Sequence, residues 1–134
     1  GRRLEEDWAG RDPRAYLGIA VAGYPNLFVL QGPNTGLGHG GSAIFQGEIQ
    51  ARYVALCLAG MLQRGARRLE VRRDAEAAWI AAVDAEHGRL VWSHPGMSTY
   101  YRNEAGRVIS VMPWRLVDYW GMVRAPDWSD WIAA

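Results

Sequence analysis

The residues best suited to chemistry in this chain form a glycine-rich loop, GPNTGLGHGGS (residues 32–42). Five glycines in eleven positions let the backbone adopt positive φ angles and approach a bound group closely. An apolar run precedes the loop (residues 26–31), and an amphipathic segment follows it from Ser42. A strand, a glycine loop and a helix N-terminus in succession can receive an anionic or electron-rich part of a cofactor. A plain flexible turn explains the spacing equally well.

The spacing of the glycines argues against the common nucleotide-binding motifs. The loop matches neither the G-x-G-x-x-G fingerprint nor the phosphate loop that ends in G-K-[S/T], and the chain contains no lysine. We therefore expect a guest other than a nucleotide pyrophosphate.

One of the three histidines, His39, lies between glycines of this loop. A histidine there could carry a proton near pH 7, or it could bond a neighbouring carbonyl and shape the turn; we favour the second role. His87, among apolar neighbours, and His94, before a proline and a glycine, are expected to be structural. Because the histidines are isolated, the sequence predicts no metal site.

The segments before the loop have a β-like pattern. We expect an edge strand or turn around Leu4 and Trp8, a weakly alternating β segment at residues 16–21 and a turn at residues 22–26. The apolar run at residues 26–31 indicates a short strand that is buried on both faces.

Helical periodicity dominates the middle of the chain. Apolar residues recur at intervals of three and four from Ser42 to about residue 64, with Ser42 as the N-cap and Gly65 at the C′ position. Residues 67–73 predict a strand. Asp74 is expected to cap a second helix, whose apolar face includes the following residues: Trp79, Ile80, Val83, His87, Leu90 and Val91.

The pattern changes after Trp92. Two short β segments are expected at residues 97–101 and 107–112, joined by a hairpin turn. A helical turn follows at residues 114–120, and the tryptophan-rich tail (residues 125–131) should pack its aromatic rings on a surface groove.

Composition narrows the function classes. At 134 residues, 49% of them hydrophobic, the chain can bury one core. A net charge of +1 and arginines spread along the sequence do not favour a nucleic-acid surface. The single cysteine, Cys57, fits a reducing cytoplasm and lies on an apolar helix face, where a packed thiol is expected. The sequence shows neither a signal peptide nor an apolar stretch long enough for a membrane span.

Several motifs together resemble the C-terminal stretch of flavin-dependent Baeyer–Villiger monooxygenases. They are GYPNLF (residues 23–28), GPNT and GHGGS within the loop, then YYRN (residues 100–103), Gly106-Arg107, Pro113 and DYW (residues 118–120). The branch that contains 4-hydroxyacetophenone monooxygenase is the most similar. The family's two glycine-rich dinucleotide fingerprints are not found in these residues, so the chain looks like the end of a longer enzyme.

The resemblance implies a fold and a division of the chain. The expected fold is α/β, the C-terminal portion of an FAD-binding Rossmann-like domain, with two main helices, a few strands, a C-terminal β-hairpin and a tryptophan-rich tail. Residues 1–92 would complete the FAD-binding domain, and residues 93–134 would form a substrate-side hairpin and tail.

The resemblance also implies the cofactors FAD and NADPH, a ketone substrate and the remainder of the monooxygenase chain as partner. Residues that would contact FAD lie along the loop and the helix start: Asn34, Thr35, Gly36, Gly40, Gly41, Ser42 and Ala43. Residues that would line the substrate pocket are Tyr100, Tyr101 and Asn103, although hairpin packing accounts for the tyrosines equally well. Both cofactors require segments outside this chain, and we expect no catalysis from the chain alone.

Two other function classes remain open. The chain could be a stand-alone module that binds a small ligand or anion in its glycine loop. It could also be an interaction domain that self-associates through its aromatic tail and unpaired sheet edges.

Overall fold

The computed structural model describes residues 2–9 and 12–134. It contains four α-helices and two β-strands within those residues, in the following chain order: α1 Leu4–Asp7, α2 Ala43–Gln63, β1 Leu69–Val71, α3 Arg73–His87, α4 Leu116–Met122 and β2 Trp131–Ala133. Single 3₁₀ turns lie at Val91–Ser93 and Trp128–Asp130. None of the helices in this described part has the length and apolar character that a bilayer span requires.

Helix α2 is the longest element and follows the glycine loop directly. Its N-cap is Ser42, whose hydroxyl accepts a hydrogen bond from the Phe45 amide (3.2 Å). Beyond its C-terminus, Gly65 takes a φ of +68°, which a residue with a side chain rarely adopts. Both predicted ends of this helix are therefore confirmed.

Strands β1 and β2 form an antiparallel pair in which Leu69 faces Ala133 and Val71 faces Trp131. The strand predicted at residues 67–73 is confirmed within narrower bounds. The tail prediction missed β2: Trp131 is a buried strand residue rather than a surface contact. Its indole packs with Leu69 and Val71 in the core because alternate residues of a strand share one face.

The core draws on both halves of the chain. Its buried members lie on the turn at residues 16–22, on the inner face of α2, on β1, on α4 and on β2. Cys57 is among them, and burial raises the pKa of its thiol to about 12, so it is a packed thiol as expected.

Two of the expected β segments are turns. Tyr16 bridges Ala20 through a reversal in which Leu17 and Gly18 have positive φ, at 54° and 68°. Residues 26–31 contribute only a single bridge, from Phe28 to Ala20, because Asn26 and Gln31 also have positive φ. Leu27 and Leu30 in this run are exposed (36% and 49%), so the expected strand buried on both faces was wrong.

The expected C-terminal β-hairpin is reduced to a turn. Arg102 and Val108 form one isolated bridge, and the Asn103 amide donates to the Arg107 carbonyl (2.9 Å) around the turn. The polypeptide on either side does not extend into strands. The turn chemistry was predicted correctly, whereas the flanking strands at residues 97–101 and 107–112 were not.

Helix boundaries account for the remaining differences. Of the edge strand or turn expected around Leu4 and Trp8, the turn is present at residues 8–9, and it follows the short helix α1. Arg72, and not Asp74, is the N-cap of α3; Asp74 lies in the first helical turn. Helix α3 ends at His87, so Leu90 and Val91 lie outside it, and Val91 is exposed. The helical turn expected at residues 114–120 is α4, shifted by two residues.

The tryptophan-rich tail is fixed to α2 by a close contact. A β-carbon placed on Gly60 would lie 2.0 Å from Cζ2 of Trp128. The guanidinium carbon of Arg64 lies 3.7 Å from the centre of the same indole ring, in a cation–π contact. The absence of a side chain at Gly60 therefore makes room for the tail.

Replacing this glycine should release Trp128. We expect Gly60→Ala to lower the free energy of unfolding by about 1–3 kcal/mol, the usual cost of overpacking. Gly47→Ala is the matched control in the same helix, since its β-carbon would meet only Gln31 Nε2, at 3.6 Å. Helix propensity should make that change neutral or stabilising by up to ~1 kcal/mol. Urea unfolding measures both, and equal effects at the two positions would contradict the contact.

Candidate functional site

The first half of the glycine loop is attached to a distant segment, residues 110–112. The Gly36 amide donates to the Ser110 carbonyl (2.7 Å), and the Met112 amide donates to the Gly36 carbonyl (2.8 Å). A β-carbon on Gly36 would lie 2.9 Å from the Ser110 carbonyl oxygen. This close approach requires glycine, so the position of Gly36 serves internal packing.

Asn34 strengthens the same attachment. Its backbone has a φ of 56°, and its buried carboxamide donates from Nδ2 to the Val108 carbonyl (2.8 Å). Its Oδ1 accepts a hydrogen bond from Nη2 of Arg107 (3.3 Å). Thr35 is also buried, and its hydroxyl donates to the Gly32 carbonyl (2.6 Å). Both side chains are directed into the protein, which leaves only the backbone at these positions to meet a ligand.

Thr35 and Gly36 line a cavity of about 460 Å³. Its walls are mainly apolar and include Trp8, Val29 and Ile109. Cavities of this size accept small molecules or parts of larger cofactors. A ligand could therefore reach the first half of the loop from this side.

The second half of the loop is open to solvent. Gly40 and Gly41 have φ values of 81° and 122°, and both are exposed, as are Ser42 and Ala43. A β-carbon on Gly40 would have no neighbour within 4 Å. The loop therefore presents bare backbone at the start of α2, where a helix leaves its first N–H groups without intrahelical acceptors.

Two buried glutamines of α2 hold the start of the loop, and the sequence analysis missed both. Gln46 donates from Nε2 to the Thr35 carbonyl. Gln50 accepts from the Gln31 amide (2.8 Å) and donates to the Tyr119 hydroxyl (2.8 Å). The signal was present in the sequence, because glutamines four residues apart interrupt the apolar face of a predicted helix.

The histidines contact backbone carbonyls. His39 Nε2 lies 2.9 Å from the Pro113 carbonyl oxygen and His87 Nε2 lies 3.0 Å from that of Val111. A carbonyl only accepts, so both ring nitrogens donate. Burial lowers the pKa of His87, which keeps that imidazole neutral. The expected structural role of His87 is confirmed, and His39 has the loop-shaping contact that we favoured.

His94 accepts a hydrogen bond at Nδ1 from the Gly96 amide (3.2 Å), as expected for a structural residue of a turn. Within residues 2–9 and 12–134, no three side chains of His, Cys, Asp or Glu are grouped closely enough to hold a metal ion.

The aromatic residues expected on the substrate side meet the loop through Trp92. Tyr101 packs edge-on against Trp92, with ring centres 5.0 Å apart, and Tyr100 donates its hydroxyl to that of Tyr101 (3.0 Å). Nε1 of Trp92 lies 3.4 Å from the point where a β-carbon of Gly38 would stand. Trp92 therefore links the two tyrosines to the glycine loop, although it was not singled out from the sequence.

Asn103 has a different role from its two neighbours. Its Oδ1 accepts a hydrogen bond from the Arg107 amide (2.9 Å) across the turn. This contact fixes the backbone that carries Arg107, a residue that the sequence analysis did not place in the site.

Relatives of this chain are monooxygenases. An uncharacterized monooxygenase y4iD of Sinorhizobium fredii is 44% identical over 131 residues, which cover 98% of this chain. A Baeyer–Villiger monooxygenase of Pseudomonas aeruginosa is 38% identical over 119 residues (86% of this chain), and one of Streptomyces coelicolor is 33% identical over 132 residues (98%). The chain is related to the Baeyer–Villiger monooxygenases. No family model matches it.

The chain spans 20–25% of the length of these three relatives and matches their C-terminal part. Solved structures agree. A steroid monooxygenase bound to NADP has a TM-score of 0.80 and 25% identity over 99% of this chain, which is 25% of that protein. A cyclohexanone monooxygenase mutant from Rhodococcus sp. Phi1 (TM-score 0.79, 18% identity, 100% of this chain and 24% of that protein) supports the fold alone. The expected fold, a C-terminal portion of this family, is confirmed.

The buried glutamines give a direct test of how the loop is held. We expect Gln50→Met to lower the free energy of unfolding by about 1–3 kcal/mol, because it leaves the Gln31 amide without its acceptor and removes a donor from Tyr119. Gln63→Met is the control, an exposed glutamine at the end of the same helix, and should change stability by less than ~0.5 kcal/mol. Thermal unfolding compares the two, and a loss at Gln63 as large as at Gln50 would argue against the anchor.

Proposed function

We propose that this chain is the flavin-facing C-terminal part of an FAD- and NADPH-dependent monooxygenase that inserts oxygen into ketones. The observation that carries the proposal is the exposed start of α2, led by Gly40 and Gly41, in a chain related to Baeyer–Villiger monooxygenases. A relative from Aspergillus niger is named an FAD-binding monooxygenase, and one solved neighbour, OTEMO, is a complex with FAD and NADP.

The residues present fit a large planar group. Gly40 has open space where a side chain would stand, and Gly41, Ser42 and Ala43 expose their backbone next to it. Thr35 and Gly36 would contribute contacts from the cavity side, and the buried Asn34 would support them from within the protein. Flavin, when bound there, supplies electron transfer from NADPH to dioxygen.

The electrostatics of α2 suit a reduced flavin, which carries negative charge on its pyrimidine edge. The positive end of the dipole of this 21-residue helix lies at Ser42, and its first turn contains no acidic residue. Fixed N–H groups stabilise developing charge without having to reorganise. We therefore assign the backbone from Gly41 to Ala43 to the stabilisation of that charge.

We propose a substrate-side role for Tyr100 and Tyr101, toward an aromatic or alicyclic ketone. Their support is the aromatic contact with Trp92, which touches the loop at Gly38, and the 84% exposure of Tyr100. Asn103 would act on the same side by holding the turn. In this scheme residues 1–92 belong to the FAD-binding domain and residues 93–134 to the substrate side.

The remainder of the monooxygenase is the partner that we propose for the exposed apolar surface of α2. Ile44 and Leu62 on this helix are 78% and 69% exposed, and Leu30 beside the loop is 49% exposed. Exposed apolar surface of this kind is typical of a protein–protein contact, which the remainder of the monooxygenase would supply. Without that contact we expect self-association and no turnover.

The cofactor proposal is tested by Gly41→Val in the full-length protein that contains this chain. The wild-type protein should purify yellow, and the variant should lose most of its FAD, since valine cannot follow a φ of 122°. Gly65→Val is the control: it also places valine at a positive φ (68°), at the opposite end of α2, but without the 2.8 Å approach to Cδ2 of Leu116 that a β-carbon on Gly41 would make. It should cost about 1–3 kcal/mol of stability yet keep its FAD. The ratio of flavin absorbance to protein measures both; wild-type occupancy in Gly41→Val would exclude Gly41 as a contact.

His39 can be assigned by comparing two substitutions. If it only shapes the loop, His39→Gln should be mild, since glutamine can also donate to the Pro113 carbonyl, whereas His39→Ala should cost about 0.5–1.5 kcal/mol and weaken FAD binding. Turnover per bound flavin should stay unchanged in both. A loss of about 10²-fold in turnover per flavin in both variants, at unaltered FAD affinity, would instead assign proton transfer to His39.

A further inference from the structure

The guanidinium of Arg107 joins three parts of the chain that are far apart in sequence. Nε donates to both carboxylate oxygens of Asp84 on α3 (2.9 and 3.2 Å). Nη1 donates to Asp12 Oδ1 (3.1 Å) and to the Pro13 carbonyl (3.3 Å), while Nη2 donates to Asn34 Oδ1 (3.3 Å). The side chain is only 13% exposed. It therefore lies behind the glycine loop with acceptors on every edge of its fork.

We infer that Arg107 is a positioning residue, which sets the glycine loop against the substrate-side segment by orienting Asn34. A carboxamide has one acceptor end and one donor end, and a guanidinium can only donate. Arg107 therefore selects the orientation in which Oδ1 of Asn34 faces the guanidinium. In that orientation Nδ2 points at the Val108 carbonyl, to which it donates at 2.8 Å.

The contacts of the oriented Asn34 extend to the rest of the site. Its backbone amide donates to the Ile109 carbonyl (2.9 Å), and two residues later Gly36 pairs with Val111. Gly38 then lies against Met112 and Trp92, the residue on which Tyr101 packs. A shift at Asn34 would thus change the distance between the loop and the aromatic residues Trp92 and Tyr101. Arg107 would exert this effect without contacting the proposed flavin or the ketone.

The surroundings of Arg107 indicate that it orients Asn34 and contributes little to the stability of the fold. Its partners Asp12 and Asp84 have side chains that are 35% and 42% exposed, and ion pairs with exposed partners contribute little to folding. The two carboxylates instead hold the guanidinium from two sides so that Nη2 faces Asn34. The side chain of Asn103 also fixes the backbone of Arg107, because its Oδ1 accepts a hydrogen bond from the Arg107 amide. Lysine cannot reproduce this arrangement, because its compact ammonium has one nitrogen, whereas the planar guanidinium reaches Asp84, Asp12 and Asn34 from three separate nitrogens.

Amide hydrogen exchange of the full-length protein tests this role whether or not flavin is present. In Arg107→Lys, we expect the amides of Asn34, Gly36 and Met112 to exchange at least about tenfold faster, since their acceptors lie across the loop contact. Amides in α2 and in β1 should keep their wild-type rates. Arg89→Lys is the control, an arginine 78% exposed that is paired with Glu86 on the same helix as Asp84. It should leave every one of these rates unchanged.

Asn34→Gly is the second variant, because glycine keeps the positive φ while removing the carboxamide. It should reproduce the exchange pattern of Arg107→Lys, and the double variant should add nothing further, as expected for two residues that act through one contact. If Arg107→Lys does not fold, faster exchange confined to the loop in Asn34→Gly supports the inference. Wild-type rates at Asn34, Gly36 and Met112, or a uniform acceleration across the whole chain, would overturn it.

The relevance of this positioning to catalysis rests on the proposed function, and the two can fail separately. In a flavin-containing protein, both variants should also alter the visible circular dichroism of the bound flavin and lower the yield of oxygenated product per NADPH. A colourless wild-type protein with the expected exchange pattern would sink the monooxygenase proposal and leave the positioning role standing. A yellow protein whose exchange rates and flavin spectrum are unchanged by both substitutions would overturn the positioning role and leave the monooxygenase proposal standing.

Discussion

The site depends on the backbone pairing between Gly36 and Val111. This contact joins residues that are distant in sequence. It brings the backbone of Gly36 closer to the backbone of residues 110–111 than a side chain at Gly36 would allow. The segment that contains Val111 is in turn held by His87 and, through Pro113, by His39. A loop that is rich in glycine has a high conformational entropy when unfolded. Its order therefore comes from these neighbours and not from its own sequence.

The two halves of the loop consequently have different properties. Asn34 and Thr35 are buried and bonded within the protein, whereas Gly40 and Gly41 are exposed with positive φ angles. Such a division is what a cofactor site requires: a fixed support on one side and accessible backbone on the other. Helix α2 serves both purposes, since its glutamines hold the loop while its N-terminus faces outward.

The buried polar groups explain why this arrangement is specific. Gln50 is fully buried, and it is bonded to the Gln31 amide and to Tyr119, whose hydroxyl reaches the Leu17 carbonyl (2.8 Å). A buried polar chain stabilises one arrangement only when every member is paired, because an unpaired group in the core costs more than the bond returns. The hydrophobic core alone could tolerate small shifts of α2, but this chain of hydrogen bonds cannot.

Residue types and their spacing were sufficient to predict the features that depend on neighbouring residues only. The glycine loop, the caps of α2 at Ser42 and Gly65 and the packed thiol of Cys57 could be inferred from residue types and spacing. The relation to flavin-dependent monooxygenases was indicated by the resemblance of several motifs taken together. The expected strands before the loop could not. Short apolar runs fit a strand or a compact turn equally well, and the positive φ angles of Leu17 and Gln31 are set by the surrounding contacts.

The polar residues that fix the loop could be identified only from contacts between distant segments. Arg107 contacts Asn34 and Asp84, which are distant from it in sequence. Trp131, near the end of the sequence, pairs with Val71 in the two-stranded sheet. Composition and periodicity carry no information on such pairings, because they depend on where the core places each element. The loop could therefore be recognised from sequence, whereas the residues that fix its geometry are defined only by contacts between distant segments.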